Sequence, residues 1–426
     1  MKTGHSISYI APLLLAVLLH CAGCSRQHAE VAPDAVGFST ERMEFLNSTF
    51  QQYVDNGVLP GCVVLVARKD RIAYLEAFGW RDMENNLPME VNSIFRIASQ
   101  TKAIVSVGIM ILQEEGKLLI TDPVGKYIPA FMETTVAEPD GEGGYEIVRA
   151  KRPITIRDLL THTAGIGYGD GVAIDIWEEA GIQGWYFANR DEPIQETVER
   201  MATLPFDAQP GEKFVYGYNT DILGAVIEVV SGEPLDVFLE SRILEPLGMT
   251  DTHFYLPEEK RERLAVVYSS TEDGLVRAPD PGGMVGQGAY VDGPRKSFSG
   301  GAGYLSTARD YARFLQMMLN GGKINHKRII SEKTVELMTV SHMRDIPYTW
   351  DDGTGFGLGF SVLEDLGARG TPGTEGEFGW GGAYHSTYWV DPEEELIVVY
   401  FTQLIPAGNV DDHGKLRALV YQALVD

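Results

Sequence analysis

The chain predicts an α+β fold: an antiparallel sheet flanked by helices, its strands drawn from both ends of the chain, with an all-helical subdomain inserted between them. Two observations carry that prediction. β-Rich runs fall at Gly61–Arg68 (GCVVLVAR) and Ile72–Phe78 (IAYLEAF), and again at 358–363, 384–390 and 396–401. Between about 120 and 295 the pattern is one of helices and Gly-rich loops with few strand signals.

Each element has its own signal. Met43, Phe45, Leu46, Phe50, Tyr53 and Val54 recur near the 3.6 period and predict a helix over 40–56. Lys69-Asp70-Arg71 is short enough to join the first two strands as a hairpin. A second helical pattern begins near Ser99 and continues through Ile104, Val107, Ile111 and Leu112 to Gly116. Ile222–Val230 is the clearest helix of the insert. Tyr311–Leu319 is another, ended by Gly321-Gly322. Asp391-Pro392-Glu393-Glu394 turns between the last two strands, and 410–425 closes the chain as a helix. The expected boundaries are a sheet domain of 39–119 with 296–426, and a helical subdomain of 120–295.

Composition excludes several functions. The 426 residues are 44% hydrophobic and 22% charged, a globular balance. A net charge of −25 repels phosphate backbones, so no nucleic-acid partner is expected. Three cysteines cannot build a disulfide framework, and Cys62 sits alone in an apolar run as a small core residue. The nine histidines show no HExxH spacing, and neither GxGxxG nor GxxxxGK occurs, so no metal or nucleotide cofactor is expected.

The N-terminus carries an address. Ile7–Leu19 is mostly apolar but too short to cross a bilayer as a helix, which fits an export signal over 1–23. Cys21-Ala22-Gly23-Cys24-Ser25 resembles a bacterial lipobox, which implies lipid attachment at Cys24, a tether over 24–38 and a membrane-anchored protein of the cell envelope. Simple signal cleavage, giving a free exported protein, is the alternative.

Three motifs could carry chemistry. In Ser99-Gln100-Thr101-Lys102 the helical spacing puts the amine within reach of the hydroxyl, and serine needs such a neighbour to become a nucleophile. The bland reading is a helix cap with a surface lysine, but apolar Ile94, Phe95, Ile97 and Ala98 argue for a semi-buried start. The loop Pro210–Asp221 places Tyr216 ahead of a helix, where its phenol could relay a proton near a lysine. Gly379-Trp380-Gly381-Gly382-Ala383 opens the strand at Tyr384, and such glycines mark either a plain turn or close approach of a ligand to backbone.

In this order the motifs resemble the serine β-lactamase-related superfamily, which includes penicillin-binding proteins, class C β-lactamases and family VIII carboxylesterases. Arg157–Gly165 (RDLLTHTAG), Ser299–Gly303 (SGGAG), Gly355–Phe360 (GFGLGF) and Trp389-Val390-Asp391-Pro392 look similar to that superfamily too. The resemblance spans roughly 40–426 and implies a β-lactamase/transpeptidase-like fold with its site in a cleft. It implies Ser99 as the acylated nucleophile, Lys102 and Tyr216 as its proton-transfer partners, and the backbone N–H groups of Ser99 and Ala383 as the oxyanion hole. Tyr218, Asn219, Trp380, Gly381 and Gly382 would then contact substrate.

Departures from the pattern narrow the substrate. Tyr218 stands where class C β-lactamases carry Asn, with Asn219 one residue further on. Trp380-Gly381-Gly382 replaces their Lys-Thr-Gly, so a cation for the lactam carboxylate is exchanged for an indole. Both features look like family VIII esterases and imply a small neutral acyl ester as substrate. An amide substrate of a β-lactamase, D-amino-acid peptidase or cell-wall peptidase is the near alternative, and an inactive lipid-tethered binding protein the distant one. His162 invites a Ser-His-Asp reading, but no GxSxG elbow accompanies it and a structural place in its loop is expected. His385 is placed only as a residue that could line the cleft.

Overall fold

The computed structural model describes residues 29–425, with Met1 and Gly4 at the N-terminus. The export signal and Cys24 therefore lie outside the described residues. The central element is an antiparallel sheet of eight strands: β1 (Gly61–Arg68), β2 (Arg71–Asp82), β3 (Leu87–Pro88), β4 (Thr354–Phe356), β5 (Ser361–Leu363), β6 (Phe378–Gly382), β7 (Ser386–Asp391) and β8 (Leu396–Thr402). Their order in space is β4-β5-β6-β7-β8-β1-β2-β3, so the two ends of the chain meet where β8 pairs with β1, Val64 facing Tyr400.

Five helices position the sheet and the cleft: α1 (Thr40–Asp55), α2 (Thr101–Glu114), α3 (Asn219–Ser231), α4 (Ala308–Leu319) and α5 (Asp412–Tyr421). β1 is buried along its whole length because both faces are covered. Val63 and Leu65 join α2 and α4 on one face, while Cys62, Val64 and Val66 join α1 and α5 on the other. That double burial explains why the run GCVVLVAR shows no polar alternation. α2 is buried from Thr101 to Leu112, so it is apolar all round rather than on one stripe. Gly108 lets α3 and the segment after it close in: a Cβ there would stand 3.0 Å from Ile227 Cδ1 and 2.9 Å from Leu239 Cδ2.

Three expectations need correction. The insert is not all-helical, because Thr135–Pro139, Tyr145–Arg149 and Pro205–Phe206 form a three-stranded sheet. A further hairpin, Tyr268–Thr271 with Gly274–Arg277, returns to the main sheet beside Leu404. Both are short, and strands this short leave little periodicity to read. Second, the segment expected to be a tether is docked from Glu30 onward: Glu30 bridges Ile72, and Phe38 is fully buried against the C-terminal segment, bridging Leu424. Third, the glycine-rich GWGG segment does not open the strand at Tyr384. It is most of β6 itself, and Ala383–His385 turns into β7. Among the described residues no helix is long and apolar enough to cross a membrane.

Asp207 sits at the start of the loop that follows the short sheet, half-enclosed by Gly167 and Gly171. Burial and the nearby Asp170 push its carboxyl up to about 6. The folded state therefore holds this proton more tightly than the unfolded chain, whose aspartates titrate at about 4. Stability falls as pH rises through that window and is flat above it. Asp207→Asn is expected to raise the melting temperature at about pH 7 and to give no gain at about pH 4.

Candidate active site

Ser99 stands on a 3-10 turn, Ala98–Gln100, that feeds directly into α2. The turn is reached through a strained residue, since Ala98 has φ +43°. Arg96 anchors the approach: its buried guanidinium donates to the carbonyls of Gln287 and Ala265, both at 2.7 Å. The Ile97 N–H donates to Tyr304 O, and the Tyr304 N–H donates to the Thr101 hydroxyl at 3.0 Å. Such a held backbone fixes where the Ser99 hydroxyl points.

Lys102, the second residue of α2 and one turn after Ser99, is buried with 2% exposure. Its Nζ donates to the carbonyl of Gly301 at 2.7 Å and to the hydroxyl of Tyr168 at 3.1 Å, and lies 3.4 Å from Ser99 Oγ. The amine also sits 4.5 Å from the centroid of the Tyr216 ring. Gly301 belongs to the SGGAG segment, and its N–H donates to Asp221 Oδ1 at 3.0 Å. Ser299 Oγ donates to the same oxygen at 2.6 Å. Asp221, fully buried on α3, thus holds with its carboxylate the N–H of the same residue whose carbonyl holds Lys102. Burial pushes the Asp221 carboxyl up, against the opposing pull of Lys102 and of these hydrogen bonds.

The structure brings Ser99, Lys102 and Tyr216 together, but the phenol that touches the amine is Tyr168. Burial, with Tyr216 and Asp221 nearby, holds the Tyr168 hydroxyl well above its ordinary range, so it stays protonated. Tyr216 presents its ring to the amine, and its hydroxyl accepts from Trp380 Nε1 at 3.0 Å. Tyr168 was not found in the sequence, where it is one aromatic residue among loop glycines with no spacing to mark it.

The expectation for Tyr218 and Asn219 is overturned. Both have 0% exposure. The Tyr218 hydroxyl donates to Gly184 O at 2.8 Å, and its ring stacks on Trp177. The Asn219 amide bonds His162 Nδ1 and the carbonyls of Ile166 and Val215. These residues pack the wall behind Tyr216 instead of meeting substrate, because α3 begins at Asn219 and turns them inward. His162 holds the same wall. It is buried, its ring lies 4.6 Å from that of Tyr216, and burial with the nearby Lys102 charge keeps it neutral.

Trp380, Gly381, Gly382 and Ala383 do border the cleft, a cavity of about 600 Å³ that also takes in Ser99, Tyr168 and Tyr216. β6 reaches the serine turn because Gly382 has no side chain: a Cβ there would stand 2.6 Å from Ile97 O. The Trp380 ring stacks on Trp350 with centroids 5.6 Å apart and meets Phe356 edge-on. Tyr348 and Trp350, from the loop before β4, extend this aromatic wall. Two arginines line the far side, each paired: Arg369 with Asp351 at 2.7 Å and Arg417 with Glu377 at 2.6 Å. Among the described residues, His385, Asp412 and His413 bring one donor atom each within 4.8 Å of one another. His385 Nε2 lies 2.8 Å from Asp412 Oδ1, His413 Nε2 lies 3.0 Å from His385 O, and Asp412 Oδ2 accepts from the Tyr400 hydroxyl.

A serine at a helix head, a buried lysine one turn on and a cleft edged by strand backbone define a serine hydrolase. The Beta-lactamase family model matches residues 46–422, and the chain belongs to that family. It is 33% identical to Esterase EstB of Burkholderia gladioli over 376 residues, covering 85% of this chain and 91% of the relative. It is 28% identical to a putative D-alanyl-D-alanine carboxypeptidase of Escherichia coli K12, covering 93% of this chain and 92% of that one. Among solved structures, EstCE1, a hydrolase with promiscuous acyltransferase activity, superposes with a TM-score of 0.76 at 30% identity, covering 89% of this chain and 98% of that one.

The Gly301 peptide offers a test of this geometry. A Cβ at Gly301 would stand 2.3 Å from Asp221 Oδ2, so Gly301→Ala must shift either the Asp221 carboxylate or the Gly301 backbone whose carbonyl holds Lys102. Turnover of any substrate cleaved through Ser99 is expected to fall by at least about tenfold. The protein should remain folded by circular dichroism.

Proposed function

We propose that this chain hydrolyses neutral carboxylic esters through an acyl-enzyme on Ser99. The observation that carries the proposal is the buried Lys102 amine, 3.4 Å from the Oγ of Ser99, which lines an aromatic cleft. In its free form the amine has two N–H bonds, which the Gly301 carbonyl and the Tyr168 hydroxyl accept. Its lone pair then faces Ser99 and takes the serine proton as Oγ attacks the ester carbon. The N–H groups of Ser99 and Ala383 steady the oxyanion. Because Trp380 donates to the Tyr216 oxygen, the Tyr216 O–H remains a donor and serves to protonate the leaving alkoxide. Water then cleaves the acyl-enzyme by the reverse route.

The preference for esters rests on the cleft wall. A β-lactam or a peptidyl D-alanine presents a carboxylate, whereas Trp380 offers an indole and the cavity arginines are committed to Asp351 and Glu377. The similarity to an esterase and to a hydrolase with acyltransferase activity supports the same reading. The similarity to a putative D-alanyl-D-alanine carboxypeptidase keeps the peptidase as the second reading. We further propose that residues 1–23 direct export and that Cys24 carries lipid. The mass of the mature N-terminus tests this.

A fluorophosphonate probe should label the wild type on Ser99 and leave Ser99→Ala unlabelled. p-Nitrophenyl acetate and butyrate should be turned over faster than nitrocefin or a D-Ala-D-Ala peptide, and faster peptide turnover would overturn the ester assignment. The stacked indoles predict a further preference. Trp350→Ala is expected to raise KM for aryl-acid esters by about 2- to 10-fold, with little change for acetate esters, as removal of one aromatic contact implies.

A further inference from the structure

The turn Ala383-Tyr384-His385 carries the Ala383 amide; the Leu404 N–H donates to Tyr384 O at 3.2 Å, and the other bonds that tie the turn down run through His385. The His385 N–H donates to Gly382 O at 3.0 Å and closes the turn. His385 Nε2 lies 2.8 Å from Asp412 Oδ1, and His413 Nε2 lies 3.0 Å from the His385 carbonyl oxygen. A carboxylate and a carbonyl only accept, so both Nε2 atoms carry protons. The two imidazoles stack with centroids 4.2 Å apart.

The anchor itself is rigid. Asp412 has 0% exposure and opens α5. Its Oδ2 accepts from the Tyr400 hydroxyl on β8 at 2.6 Å, and its Oδ1 also accepts from the His413 N–H at 2.9 Å. Burial alone would raise the Asp412 carboxyl, but the His385 hydrogen bond and the neighbouring imidazoles bring it below the usual carboxylate range. The backbone of His385 is also unusual. It lies at φ +65°, where glycine is at ease and a β-carbon is strained. Glycine there would relieve the strain but lose the contact with Asp412.

We propose that His385 is a positioning residue for the oxyanion hole, bolted by Asp412 so that the turn from β6 to β7 holds the Ala383 amide against Ser99. This rests on the ester-hydrolase reading given above. The bolt acts on the tetrahedral state, where the oxyanion needs its second donor, and hardly on the bound ester. Losing it should therefore lower kcat and leave KM.

The test measures kcat, KM, melting temperature and the inhibition constant of phenylboronic acid, which forms a tetrahedral adduct on serine. Wild type, His385→Ala, His385→Gln and Asp412→Asn are compared on p-nitrophenyl acetate. His385→Ala and Asp412→Asn are expected to lose about 10- to 100-fold in kcat and a similar factor in boronate affinity, with KM within about threefold. His385→Gln, whose amide can reach Asp412, is expected to recover kcat to within about threefold of wild type. The proposal is overturned if His385→Ala keeps kcat and boronate affinity, or if His385→Gln is as damaged as His385→Ala. It is overturned equally if KM and melting temperature shift in step with kcat, the mark of a general structural loss. A wild type that neither turns over the ester nor binds the boronate would instead remove the hydrolase reading beneath it.

Discussion

Placing the Lys102 amine out of water is the constraint on which the site depends. A buried ammonium is costly unless every N–H finds an acceptor and an acid stands near. The fold meets this with the Gly301 carbonyl, the Tyr168 hydroxyl, the face of Tyr216 and the buried carboxyl of Asp221. These groups come from two loops, from α3 and from the segment leading to α4, so the amine is also the point where the insert and the sheet domain meet. Once it is held, the hydroxyl of Ser99, on the 3-10 turn ahead of α2, has the amine at a fixed distance.

The sheet supplies the other half of the site through backbone rather than side chains. β6 can lie against the serine turn only because Gly382 is bare where Ile97 O approaches. Trp380, on the same strand, faces the cleft and ties to Tyr216, so one short strand orients the phenol, walls the cavity and leads into the turn at Ala383. The cavity arginines are paired with Asp351 and Glu377, and the aromatic side chains form the rest of the wall.

Much of this was legible in the sequence where the physics is local. The helical spacing of Ser99 and Lys102, the apolar run of β1 and the amphipathic α1 each depend on residues a few positions apart. Trp380 could be placed on the cleft because its motif has a known partner pattern. Tyr168 could not, since its contact with Lys102 crosses 66 positions and no periodicity encodes it. Tyr218 and Asn219 were misplaced because they stand at the head of α3, where both side chains are turned into the core. The short strands of the insert and the docking of 30–38 escaped notice for a related reason: their stability comes from partners far along the chain.

The most direct test of the central claim is to trap the covalent intermediate with and without the amine. Wild type and Lys102→Ala are mixed with a slowly deacylating ester, quenched, and analysed by peptide mass spectrometry. The account predicts one acyl group on the Ser99 peptide of the wild type and none on that of Lys102→Ala over the same interval. Equal acylation of the two proteins, or acyl transfer to another residue, would contradict it.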